Sequence, residues 1–178
     1  MPEEMEDPTE RVHETVHEEA EKSKERWVIG VALSTALLAV FAAVTALMAG
    51  YHADEAMIDQ LHASDQWSYY QAKGIKSAIL ESKVAMLQAM GKAPEARDQE
   101  IINRYKEEQH QIDETAKEAE KSSAAHLQVH NILARGVTVF QIAIAISAIA
   151  VLTRKKWLWI GGIILGIGGI GLFFQGIL

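Results

Sequence analysis

The chain has 178 residues with 24 acidic side chains against 17 Lys and Arg, a formal net charge of -7, and no cysteine. The acidic balance argues against nucleic acid as a partner. The absence of cysteine excludes disulfides, thiolate metal sites, thiol nucleophiles and Cys-linked lipid anchors.

Residues 1–26 are strongly acidic, which marks them as a solvated tail and not as a secretory signal peptide. Within the tail, Pro8-Thr9-Glu10 reads as a helix start with Thr9 as N-cap, and Val12, Val16, Ala20 and Trp27 then share one face. His13-Glu14-Thr15-Val16-His17 satisfies H-E-x-x-H, in which two histidines one helical turn apart bind zinc and the glutamate acts as general base. That chemistry also needs a third ligand and a dry cleft, which a solvated tail does not supply, so the spacing reads as adventitious and no enzyme is expected.

Three apolar stretches follow at 27–50, 137–152 and 157–178, none containing a charged residue. A helix needs about 20 apolar residues to cross the hydrocarbon core, because every backbone polar group must there be satisfied within the helix. The first and third stretches meet that length. The second borrows residues 131–135, with Arg135 snorkelling to the headgroups. The expected fold is an all-α membrane protein with three transmembrane helices at 27–50, 136–152 and 157–178. Lys22, Lys24 and Arg26 precede the first span, and Arg154, Lys155 and Lys156 fill the short loop 153–156. The positive-inside rule therefore puts the tail and that loop in the cytoplasm, and the long loop 51–135 with the C-terminus in the periplasm.

The long loop reads as an antiparallel helical hairpin, a coiled-coil-like stalk with its turn at 91–94, where Gly91 stops one helix and Pro94 suits the first turn of the next. On the second arm Ile102, Tyr105, Gln109, Ile112, Ala116, Ala119, Ser123, His126, His130, Leu133 and Val137 alternate at spacings of three and four, the heptad pattern of helices packed at a shallow angle. The first arm offers a less regular seam of Ala53, Met57, Leu61, Ala72, Ile75, Ala78 and Ile79. So thin a stripe buries little surface, which points to packing against further copies or a partner.

Symmetric pairing about Ala93 would bring His62 to His126 and Asp59 to His130. These four form a candidate divalent-metal site, weighed against the plainer reading of polar groups hydrogen-bonded across the seam; no other cofactor is expected. Trp67, Tyr69 and Tyr70 are the aromatic cluster of the stalk and the candidate partner contacts. Gly162, Gly166, Gly169 and Gly176 lie along one side of the third span, a surface that admits close helix approach. The spans carry no ionisable group, which weighs against ion-coupled transport.

The tail at residues 1–9, the run WVIGVALSTALLAVFAAVTALMAGYHADEAMI, the stretch SDQWSYYQAKGIKSAILESK and ARGVTVFQIAIAISAIAVLTRKK together resemble a bacterial membrane family catalogued as domain of unknown function 4337. The resemblance covers essentially the whole chain. It implies a bacterial inner-membrane protein and brings no activity or catalytic residue with it. The expected role is a structural scaffold that contacts membrane lipid and forms a homo-oligomer through its stalk and glycine-rich third span, with an unidentified membrane protein as a further candidate partner. The alternatives are an accessory or sensor subunit that responds to metal or pH through the histidine and carboxylate belt, and a small oligomeric channel.

Overall fold

The computed structural model describes residues 26–178, so the expected tail helix and the H-E-x-x-H spacing lie outside the described residues. The described chain is all-helical, with no strand: α1 spans Arg26–Ala89, α2 Ala96–Thr153 and α3 Lys156–Ile177. All three are long and apolar enough to cross a membrane. Proline is absent from each of them, so no ring removes a backbone donor, and α1 runs unbroken through Gly50 and Gly74.

The two connections end in the same way. After α1, the Lys92 amide donates to the Leu87 carbonyl at 2.9 Å and the Gly91 amide to the Gln88 carbonyl at 3.0 Å, with Gly91 at φ 71°. This is a Schellman cap, and its left-handed residue is a glycine, which carries no Cβ to clash. After α2, the Lys155 amide donates to the Ala150 carbonyl and the Arg154 amide to the Val151 carbonyl, both at 3.1 Å. Here the left-handed position is Arg154, at φ 54°. Pro94 falls in the connection, two residues before Ala96, and so precedes the first turn of α2 instead of entering it.

By internal contacts the chain divides into two units. The first, here the apolar unit, comprises described residues 26–53 and 127–178. Val28, Val31, Ala32, Ala148 and Val151 form one core cluster, flanked by Trp27 and Trp159. Leu38, Phe140, Ala143 and Ile144 form a second, against which Phe41 and Ile170 pack. The hydroxyls of Thr35, Thr45 and Ser147 each donate to a carbonyl one turn back in their own helix, so these buried groups need no partner elsewhere.

The second, here the polar unit, is Asp54–His126. On its α2 segment Ile102, Ile112, Ala116, Ala119 and Ser123 are buried and Tyr105, Gln109 and His126 half-buried, so the heptad side faces inward. The α1 segment departs from expectation. Met57, Leu61, Ile75 and Ile79 are about 60% exposed, whereas Ala56, Ala63 and Ser77 are buried. Those three share a seven-residue spacing with Tyr70 and Val84, and Asp59, Gln66, Lys73, Leu80 and Leu87 repeat it; all are at least half-buried. The inward seam of α1 is thus a heptad whose fully buried members, Ala56, Ala63 and Ser77, are small, and the bulky residues assigned to it from sequence turn outward. Small side chains win this position because they let the two backbones approach. The Ser123 hydroxyl reaches the Ala56 carbonyl at 2.8 Å, and the Gln109 amide reaches the Tyr70 carbonyl at 3.3 Å across Gly74, where an added Cβ would meet that amide at 2.9 Å.

The two caps predict opposite responses. Gly91→Ala is expected to destabilise by about 1 kcal/mol, the cost of forcing a Cβ into the left-handed region, while Arg154→Gly removes a strain of similar size. Thermal denaturation in detergent, followed by circular dichroism, should show the melting midpoint falling for the first and not falling for the second.

Candidate functional site

Four glycines of α3 are buried: Gly162, Gly166, Gly169 and Gly176. An added Cβ would meet the Ser147 hydroxyl at 2.5 Å from Gly162, Leu38 at 2.6 Å from Gly166, the Phe140 ring at 2.7 Å from Gly169 and Leu133 at 2.6 Å from Gly176. The glycine face is therefore occupied by α1 and α2 of the same chain. Gly161, Gly168 and Gly171 have nothing within 4 Å and lie on the open side. One further glycine did not stand out in the sequence: Gly30 of α1 seats the Trp159 ring, whose indole N–H donates to the Ser34 hydroxyl at 3.0 Å. An isolated glycine opposite a tryptophan carries no local signal.

The histidine and carboxylate positions are not gathered. Among the described residues, no group of three or more His, Asp or Glu side chains could hold a metal ion. Register is the reason. The Ser123–Ala56 and Gln109–Tyr70 contacts are both displaced by seven residues from symmetric pairing about Ala93. His62 instead pairs with Gln66 at 3.3 Å on its own helix, and Asp59 is half-buried on the inward seam. In the apolar unit, His130 Nδ1 lies 2.8 Å from the Ala49 carbonyl, an acceptor that requires the proton on that nitrogen.

The aromatic cluster splits by direction. The Trp67 indole donates to Glu120 at 2.7 Å and its ring meets Tyr70 edge-on at 5.6 Å, so both serve contacts within the polar unit. Tyr69 is half exposed, with the Lys73 ammonium 5.0 Å from its ring centre. Lys73 also pairs with Glu108 and lies 5.2 Å from the Tyr105 ring. Nearer the turn, Lys83 bridges to Asp98 at 2.8 Å; Asp98 is buried in the first turn of α2, where a negative charge complements the helix dipole.

These contacts set the protonation of the unit. Lys73 is raised above its ordinary value by its bond to Glu108 and then by Tyr69, while Glu108 is lowered by Lys73 against a smaller opposing effect of burial. Lys83 and Lys117 are raised by Asp98 and Asp113. A lowered carboxylate contributes stability that is complete above its unfolded value and lost as pH falls through its folded one; a raised lysine contributes below its unfolded value and loses that as pH rises.

Two expectations follow from this geometry. The polar unit should keep the full contribution of these pairs to its hydrogen-exchange protection between the ordinary Glu and Lys values of 4.5 and 10.5 and lose part of that protection outside the range, with Glu108→Gln removing part of the acid limb. Gly169→Val should cost about 1–3 kcal/mol by overpacking Phe140, with Gly168→Val, on the open side, costing less; paired thermal melts in one detergent measure the difference.

No curated protein and no solved structure matches the chain. A family model does match, over residues 27–178, which takes in all three helices from the second residue of α1 onward. The chain belongs to the family described as Domain of unknown function (DUF4337).

Proposed function

We propose that this chain is a structural scaffold of a bacterial inner membrane, working as a homo-oligomer. On this reading the three apolar helices span the membrane, and the polar parts of α1 and α2 form an antiparallel hairpin in the periplasm. Arg154, Lys155 and Lys156, all exposed at the α2–α3 connection, support a cytoplasmic position for that loop. The order of contacts supports the hairpin: Lys83 meets Asp98 near the turn, Lys73 meets Glu108 further along, and Ser123 meets Ala56 at the far end.

The observation that carries the assembly is the use of side chains in the polar unit. Its inward seam holds Ala56, Ala63 and Ser77 against Ile102, Ile112, Ala116 and Ala119, while Met57, Ile58, Leu61, Ile75, Ile79 and Met86 of α1 are left between 57% and 66% exposed. Burying a large aliphatic side chain is worth about 1.5–3 kcal/mol, several times what an alanine gives. An α1 segment that leaves six large apolar side chains exposed keeps a substantial apolar surface for contact with another molecule.

The lack of cysteine makes the topology directly testable. With single cysteines introduced at Ala93 and Lys155, a membrane-impermeant maleimide should label Ala93→Cys in cells with a permeabilised outer membrane. Lys155→Cys should label only after the inner membrane is opened. The mass of detergent-extracted particles, corrected for bound detergent, should exceed one chain; a uniform monomer sinks the scaffold reading.

A further inference from the structure

The outward face of α1 in the polar unit has its own repeat. Met57, Ser68, Ile79 and Met90 recur every 11 residues, and all four are exposed. Leu61 and Ala72 repeat that spacing, as do Ser64, Ile75 and Met86, and these are exposed as well. Eleven residues make three turns at 3.67 residues per turn, so the positions form one continuous ridge of apolar and small side chains along the helix. The ridge contains a single charge, Lys83, and that ammonium is paired with Asp98 at 2.8 Å. The exposed side of α2 in this unit has the opposite character, with Arg104, Lys106, Glu107, Glu114, Glu118 and Lys121 all facing solvent.

We propose that this ridge is a self-association surface whose occupant is the α1 ridge of a second copy, packed parallel and in register. The proposal deepens the scaffold reading and rests on it, because two copies anchored in one membrane present their α1 helices in the same direction. Three features select a second copy. One edge of the ridge carries Asp54, Asp65 and Lys76, and the other carries Gln60, Gln71 and Ser82, all exposed. In a parallel two-fold pair, the charged edge of each copy faces the uncharged edge of the other. No like charges then meet, and the glutamines can hydrogen-bond to the aspartates.

The second feature is area. From Met57 to Met90 the ridge is about 50 Å long, and a strip about 10 Å wide on each copy buries about 1,000 Å² in total, the size at which a specific interface becomes stable. The third lies in the apolar unit. In sequence the 11-residue spacing reaches back from Met57 to Ala46 and from Leu61 to Gly50, and the structure leaves both exposed, with nothing within 4 Å of Gly50. Ala46-xxx-Gly50 is a small-xxx-small pair, the pattern that brings two helices close in lipid. Such pairs cross right-handed, the hand in which an 11-residue repeat supercoils.

Single cysteines test this in the full chain. Ser68→Cys and Ile75→Cys lie on the ridge and should form disulfide-linked dimers in membranes at least tenfold faster than Glu114→Cys on the exposed side of α2. Adding Ile79→Glu to the Ser68→Cys chain should reduce the crosslink at least tenfold, with helix content unchanged by circular dichroism. Particle mass separates the two ways of failing. A monomer overturns the scaffold reading and this inference together. An oligomer whose ridge cysteines crosslink no faster than Glu114→Cys overturns the ridge alone, and points to another surface or another protein as its occupant.

Discussion

How closely two helices can approach decides where many of the bulky side chains among the described residues go. In the apolar unit the close approach is made by glycine. Leu38, Phe140 and Leu133 project onto Gly166, Gly169 and Gly176, at distances where any Cβ on α3 would collide. In the polar unit it is made by alanine and serine, and the backbones come near enough for the Ser123 hydroxyl to reach the Ala56 carbonyl. The outcomes differ: large residues are drawn into the glycine surface, whereas beside Ala56, Ala63 and Ser77 the bulky Met57, Leu61, Ile75 and Ile79 of α1 turn outward. What the polar seam lacks in apolar area it meets in part with cross-helix polar contacts, Lys73 to Glu108, Lys83 to Asp98 and Trp67 to Glu120, which solvent weakens wherever it reaches them.

Much of this was legible in the residues. Lengths and the absence of proline mark three helices, and Gly91 marks the first helix end because its cap needs a left-handed residue. The inward side of α2 is readable because polar and charged residues fill most of the positions between Ile102, Ile112, Ala116 and Ala119, leaving one unambiguous stripe. Gly162, Gly166, Gly169 and Gly176 stand out by density. What their spacing cannot say is which helix fills them, since a neighbour in the same chain and one in another chain impose the same requirement.

The misreadings also have physical causes. On α1 two stripes compete, one small and one large, and hydrophobicity favours the large one; only the need for close approach favours Ala56, Ala63 and Ser77. The pairing of His62 with His126 assumed symmetry about the turn, but register is set by the contacts along the seam, and an offset of a few residues separates side chains by more than any metal can bridge. Arg154 was read for its charge alone. Its left-handed backbone is invisible in sequence, because arginine gives no conformational signal there, as glycine does at residue 91.

The two stripes of α1 differ in period as well as in size, and this has a mechanical consequence. A seven-residue repeat falls short of two full helical turns and winds its neighbour to the left; an 11-residue repeat overshoots three turns and winds it to the right. Were a second copy seated on the 11-residue stripe, this helix would be drawn toward opposite coils from its two sides, and an insertion in register with one repeat would break the other unless it were 77 residues long, the least common multiple of 7 and 11.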